Sequence, residues 1–319
     1  MILPLMVVLA GPTGSGKTSL SLALAQQIGG EIVSCDSVSV YRGMEIGTAK
    51  PTPEERALVP HHMIDVADPD TAYTAGDYGR DARKAVAEIA VRRNVPIVAG
   101  GTGLYLRALL EGLSPVPPRD EALRKRLRGS AAKYGELYLH RTLRRLDAEA
   151  ALRIHANDAP KLIRAIEVSL LARQPITERF IAEPPHPLTG FHIVQIGLNP
   201  PRAELYRFLN TRAAEMFQQG LVIETRELIA QYGEDCRALT SLGYAQAMEE
   251  IRGTMTRAQA IASAQQGHRN YAKRQLTWFR KDATIQWIEN FGTDALNPVL
   301  ELFKSERQVR QGSTEGAKF

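Results

Sequence analysis

Apolar residues in this chain come in short Val- and Ile-rich runs separated by longer stretches of helical spacing. The runs at 2–10, 31–34, 63–66, 96–99, 193–198 and 285–288 have the length and content of buried strands. Helical patterns lie between most of them. That alternation predicts an α/β fold, a parallel sheet flanked by helices. Thr74-Ala75-Gly76-Asp77 reads as a capping box opening a helix over 77–92. A second helix, over 202–219, carries an apolar stripe at Leu205, Phe208, Leu209, Met216 and Phe217. Between 119 and 179 there is no strand pattern. Pro115, Pro117 and Pro118 precede this stretch, and Pro184, Pro185 and Pro187 follow it. The reading is a helical insertion subdomain, 119–189, within a core made of 1–118 and 190–319. The tail from Ser305 is polar and reads as frayed.

The first apolar run ends in Gly-Pro-Thr-Gly-Ser-Gly-Lys-Thr, residues 11–18. This is a complete G-x-x-x-x-G-K-[ST] phosphate loop in the strand–loop–helix context it requires. The N–H groups of Gly14, Ser15, Gly16 and Lys17 would face an oxyanion at a helix N-terminus. Lys17 adds a point charge, and the Thr18 hydroxyl is placed for Mg²⁺. The loop itself leaves open whether the anion is ATP or another diphosphate.

Three further positions carry chemistry. Asp36 follows the second run, at the strand end where parallel sheets bind ligands. It reads as a general base or metal ligand, against the plainer reading of an Asx-turn or helix cap. The fourth run ends in Gly100-Gly101-Thr102 rather than in the acidic Mg²⁺ ligand usual in NTPases, which argues weakly against a motor or switch protein. Asp65 could still fill that acidic role. Arg212 falls inside the apolar stripe of 202–219, so it is either an anion clamp in a polar cavity or an arginine snorkelling to the helix edge. His61, His62 and His155 read as structural.

Composition narrows the picture modestly. The chain has 319 residues, 44% hydrophobic and 24% charged, in the normal range for a globular enzyme. Its net charge is +5. Residues 119–179 hold 14 Lys and Arg against 8 Asp and Glu, so the surplus sits in the insertion. A second basic cluster, 269–281, interleaves Tyr271, Trp278 and Phe279 with Arg269, Lys273, Arg274, Arg280 and Lys281. Two such clusters favour an RNA partner over a merely solvated face. Cys35 and Cys236 cannot build a disulfide framework, and no Cys/His spacing fits a zinc finger. A cytoplasmic protein is expected, without membrane association, because the apolar start is too short to span a bilayer.

Several strings resemble one family, the bacterial tRNA dimethylallyltransferases (tRNA isopentenyltransferases). They are residues 11–18, Asp36-Ser37-Val38-Ser39-Val40-Tyr41-Arg42, Ile46-Gly47-Thr48-Ala49-Lys50-Pro51 and Gly100-Gly101-Thr102-Gly103-Leu104-Tyr105. Asn157-Asp158 with Arg164-Ala165-Ile166-Glu167, Gly243-Tyr244 and Ala272-Lys273-Arg274-Gln275-Leu276-Thr277-Trp278-Phe279-Arg280 continue the match in family order. The resemblance implies transfer of a dimethylallyl group from dimethylallyl diphosphate to N6 of adenosine 37, in the tRNA anticodon stem-loop. By that resemblance Asp36 is the general base. Gly11, Thr13, Gly14, Ser15, Gly16, Lys17, Thr18 and Arg212 bind the diphosphate, with Mg²⁺ at Thr18. Asp36, Ser37, Val38, Ser39, Thr102, Gly243 and Tyr244 meet the tRNA, as do Arg124, Pro160, Lys161 and Arg164 of the insertion and Lys273 and Arg274 of the late cluster. Nothing in the sequence demands more than a monomer. The commoner family string has Gln at Ser39 and basic residues at Ala245 and Pro160. The rival readings are a free-nucleotide isopentenyltransferase, a small-molecule P-loop kinase and a catalytically idle RNA-binding module.

Overall fold

A computed structural model describes residues 3–135 and 137–315, with side chains as far as residue 308. In chain order the elements are β1 (Leu5–Ala10), α1 (Lys17–Ile28), β2 (Gly30–Cys35), α2 (Pro53–Leu58), β3 (His61–His62), α3 (Ala75–Val91), β4 (Val95–Gly100) and α4 (Gly103–Leu110). Five helices follow: α5 (Glu121–Tyr134), α6 (Tyr138–Leu146), α7 (Ala148–Arg153), α8 (Ala159–Ala172) and α9 (Ile176–Ala182). The chain then returns through β5 (His192–Leu198), α10 (Arg202–Gln218), α11 (Leu221–Tyr232), α12 (Tyr244–Ile251), α13 (Arg257–Phe279), β6 (Gln286–Ile288) and α14 (Leu296–Glu315). Two compact units result, Met1–Leu110 with Leu188–Phe319, and Glu111–Pro187.

The first unit holds one six-stranded parallel sheet in the order β3-β2-β4-β1-β5-β6. Its centre is apolar on both faces. Met6, Val8 and Ala10 of β1 pack into one core with α3, α4 and α10 to α13. Leu5, Val7 and Leu9 pack into the other with α1 and α14. Full burial of each such side chain contributes about 1.5–3 kcal/mol, which is why a doubly covered strand reads as an unbroken apolar run. Register decides where the site falls. Ala10 lies opposite Gly100, and Gly100 opposite Cys35. Gly11, Asp36 and Gly101 therefore leave the sheet side by side at its carboxyl edge.

Two sequence expectations need correction. The 63–66 run is not a strand. Met63 and Asp65 adopt φ of 64° and 56°, which breaks an extended path. The short strand is His61–His62 instead. The Asp65 carboxylate is drawn to Lys50 at 2.5 Å and Arg56 at 2.7 Å, so it is already neutralised and does not serve as the acidic ligand considered for it. The tail from Ser305 continues as helix α14 to Glu315, anchored by buried Val299 and Phe303; residues 316–319, and residue 2 of the first run, lie outside the described residues. The capped helix is as expected. Thr74 accepts from Asp77 N, and the Asp77 carboxylate answers Thr74 N, opening α3.

The second unit has helices and no strand among its described residues, and has its own core, built on Leu127, Leu143, Leu162 and Ile166. At its heart Glu167, fully buried, is gripped by Arg124 through two hydrogen bonds of 2.8 Å and by Arg164 at 2.6 Å, with Asp120 N adding a fourth bond at 2.8 Å. Burial alone would raise the Glu167 carboxyl, but these donors hold it down at about 2. Breaking such a pair from one side costs about 3–5 kcal/mol, so Glu167→Gln is expected to destabilise the unit by that order. Because the folded value lies below the ordinary 4.5, the native contribution is complete above that pH and is lost as pH falls toward 2. Hydrogen exchange of α8 in the full chain, wild type against variant, checks this; unchanged protection would mean that the triad contributes nothing.

Candidate active site

The phosphate loop closes the end of β1 and is braced from three sides. Ser15 Oγ donates to Pro12 O at 2.9 Å. Gly292 N donates to Ser15 O at 3.0 Å. Thr13 N donates to Gln275 Oε1 at 2.7 Å. That last bond commits the Thr13 amide within the protein, while Thr13 still lines the cavity. The loop opens into a cavity of about 930 Å³ that also receives Asp36, Ser39, Thr48, Gly101 and Arg212.

Two cations face that cavity. Lys17 Nζ donates to Pro12 O at 2.6 Å, and burial pushes its ammonium down to about 7, opposed by Asp36 and assisted by Arg212. Arg212 is likewise lowered by burial and partly restored by Asp36. Its Nε is buried with no hydrogen-bond partner, and its Nη2 reaches only Thr48 O, at 3.5 Å. A snorkelling arginine would put its head in water. This one instead holds an unmet donor inside the cavity, the arrangement of a clamp awaiting an anion. Phe208, placed by sequence in the buried stripe, is 43% exposed; it leans on Phe291 and lines the cavity.

Asp36 makes the turn weighed for it and also lines the cavity. Its Oδ1 accepts from Val38 N at 2.8 Å and Ser39 N at 3.1 Å, an Asx-type turn. That fixes the carboxylate while Oδ2 keeps capacity to accept a proton. Thr102 supports the same turn, taking Ser37 N on its Oγ1 at 3.0 Å while its own N–H donates to Cys35 O. Ser37, Val38 and Ser39 thus form the turn around the carboxylate, with Ser39 itself buried.

Several residues expected to touch RNA have other work. Tyr244 is fully buried, and its hydroxyl donates to Glu224 at 2.6 Å. Glu224 also takes the N–H groups of Glu45 and Ile46. A Cβ at Gly47 would lie 2.3 Å from the Tyr244 ring. Tyr244 therefore props the 45–48 segment whose Thr48 carbonyl meets Arg212, and Gly243 caps its helix through Gln246. Glu224 was missed by sequence reasoning because its partners lie far along the chain. Arg124 and Arg164 are committed to Glu167, as above. Pro160 and Lys161 are exposed, as are Lys273 and Arg274 on α13, with Arg274 lying over Tyr271 at 5.7 Å. His62 faces Glu31 at 2.7 Å and His61 faces Val59 O at 2.7 Å, in keeping with structural roles.

Thr18 lines the cavity, and no group of three or more His, Cys, Asp or Glu able to hold a metal occurs among the described residues. A Mg²⁺ here would draw most of its ligands from the substrate and water, and Thr18 is the hydroxyl that would hold it.

A phosphate loop, an arginine with an unmet Nε donor and a turn-fixed carboxylate line one cavity beside a parallel sheet flanked by helices, which defines a P-loop protein of the α/β class. The comparisons are specific. A family model described as IPP transferase matches residues 39–282, and one described as Isopentenyl transferase matches residues 4–64. The chain is 60% identical to a tRNA dimethylallyltransferase of Koribacter versatilis, over 92% of this chain and 95% of that one. It is 49% identical to the one from Solibacter usitatus, over 90% and 93%. The crystal structure of a tRNA isopentenylpyrophosphate transferase from Bacillus halodurans superposes with a TM-score of 0.71 at 32% identity, covering 98% and 99% of the two chains. The chain belongs to the IPP transferase family.

Among described residues, no helix is long and apolar enough to cross a membrane.

Proposed function

We propose that this chain transfers the dimethylallyl group of dimethylallyl diphosphate to N6 of adenosine 37 in the anticodon stem-loop of tRNA, releasing diphosphate. The observation that carries the reading is the cavity itself, lined by a phosphate loop, an arginine with an unmet Nε donor and a turn-fixed carboxylate. The names of the relatives supply the substrate class.

The N6 lone pair attacks C1 of the donor. The C1–O bond breaks, its electron pair leaves with the diphosphate, and the N6 proton passes to Asp36. An exocyclic amine is a weak nucleophile, so accepting its proton as the bond forms helps the step. Lys17, Arg212 and the amides from Gly14 to Thr18 stabilise the charge that develops on the leaving diphosphate. Mg²⁺, where bound, neutralises part of that charge, with Thr18 as its ligand. Adenosine 37 must leave its stack to reach Asp36. Phosphate contacts fall to the exposed bases, Arg141, Arg144 and Arg145 on α6, Lys161 on α8, and Lys273 and Arg274 on α13.

Labelled dimethylallyl diphosphate incubated with tRNA, AMP or no acceptor tests this. Label in tRNA alone supports the reading. Label in AMP selects the free-nucleotide enzyme, and ATP turnover without prenyl transfer selects the kinase.

The depressed Lys17 adds a pH signature. An incoming diphosphate favours the charged ammonium, so the bound-state value rises above about 7. At pH 8 inorganic diphosphate is expected to bind with uptake of up to about one proton, and to weaken as pH rises further. Calorimetry in buffers of different ionisation enthalpy measures this. Identical heats in all buffers would mean that Lys17 is already charged in the free protein.

A further inference from the structure

Gln275 sits near the C-terminal end of α13, 5% exposed, and links the phosphate loop to the end of β4. Its Oε1 accepts from Thr13 N at 2.7 Å, and its Nε2 donates to Gly101 O at 2.8 Å. The amide orientation is forced, because an N–H can only donate and a carbonyl can only accept. The fit has no slack, since a Cβ at Gly101 would lie 2.1 Å from Nε2. On the donor side, Thr13 opens the phosphate loop. On the acceptor side, Gly101 precedes Thr102, which holds Ser37 N and so fixes the Asp36 turn. One path of bonds therefore runs from donor loop to carboxylate through a single side chain.

We propose that Gln275 is a positioning residue, resting on the transferase reading above, that sets the distance between the bound diphosphate ester and the base acting on the acceptor amine. Both ends of its amide are spent on the protein. It acts through the backbone of Thr13 and Gly101, whose separation fixes how closely C1 of the donor can meet N6.

Two variants test this. Gln275→Leu keeps comparable bulk but leaves the Thr13 N–H and Gly101 carbonyl without partners, so the loops lose their common anchor. Its kcat is expected to fall by about 10²-fold, the scale of a misplacement near 1 Å. Its tRNA Kd should stay within about twofold, because Lys273 and Arg274 remain exposed on the same helix. Gln275→Glu separates positioning from general damage. A protonated carboxyl can accept from Thr13 N and donate to Gly101 O, as the amide does, whereas a carboxylate repels both that carbonyl and the diphosphate. Lys17, Cys35, Asp36, Arg212, His268, Tyr271 and Arg274 are the charged and titratable groups around this part of the cavity. Lys17 titrates in the wild type as well, so the readout is the variant-to-wild-type ratio of kcat at each pH. That ratio is expected to climb at least about tenfold between pH 8.5 and pH 6, reversibly, as the introduced acid is protonated.

If Gln275→Leu does not fold, the pH reversal in Gln275→Glu decides alone. A Leu variant with wild-type kcat, or a flat Glu ratio, overturns the proposal. Failure of the wild type to prenylate tRNA would overturn the transferase reading instead. The same variants are then scored by binding of inorganic diphosphate, which must weaken in Gln275→Leu, and in Gln275→Glu only at high pH, for the positioning role to stand.

Discussion

Asp36→Asn is expected to lower single-turnover prenyl transfer by about 10²–10⁴-fold, the range for loss of a general base. The substitution isolates basicity because the local structure survives it. Asn Oδ1 can still accept from Val38 N and Ser39 N, the two bonds that shape the turn. Thr102 still holds Ser37 N. What is lost is an oxygen able to take the amine proton. Binding of tRNA and of inorganic diphosphate should therefore change little, and the deficit should sit in the chemical step. Near-normal transfer by Asp36→Asn would remove Asp36 from the base role and leave it as a turn residue.

Arg212→Met is expected to separate stability from catalysis. The guanidinium is half-buried, with its Nε unpartnered and its nearest acceptor at 3.5 Å. Carrying an unpaired buried charge costs the free protein stability, and a well-packed apolar replacement commonly relieves that cost. The melting temperature should hold or rise. Transfer should fall by about 10²–10³-fold, the usual loss when one preorganised donor to a developing oxyanion is removed, with donor KM raised as well. Arg212→Lys should rescue only in part, because a point charge cannot reproduce the planar fork. The opposite pattern, a lowered melting temperature with intact kinetics, would make Arg212 an ordinary structural arginine.

Much of the architecture was legible because it is written locally. The phosphate loop, the capped helix at 75–91 and the doubly buried central strands each declare themselves within a dozen residues. So does the strand-free insertion. What escaped depends on partners far apart in sequence. Gln275 looks like any helical glutamine until Thr13 and Gly101, 262 and 174 residues away, are seen at the two ends of its amide. Counting charges found the basic insertion but could not distinguish Lys161, exposed and paired only with Asp158, from Arg124, sealed against Glu167. The 63–66 run has a strand's composition. Its path is set instead by ion pairs from Asp65 to Lys50 and Arg56, which no short window contains. Arg212 stood out in the sequence because its place in an apolar stripe was itself the anomaly, and the structure sets it in the cavity lining.

The weakened ammonium of Lys17 bears on discrimination among anions. A loop that kept its full charge when empty would hold any small phosphate or sulfate it met, and the cell offers these in excess. With a value near 7, the vacant loop carries about half of that lysine's charge at neutral pH. The remainder arrives only when a ligand brings enough negative charge to draw the proton in. A diphosphate monoester, which carries about two to three negative charges near neutral pH, does so more strongly than a lone monoanion. On the proposed function, the grip is expected to tighten as the diphosphate enters and to relax when it leaves.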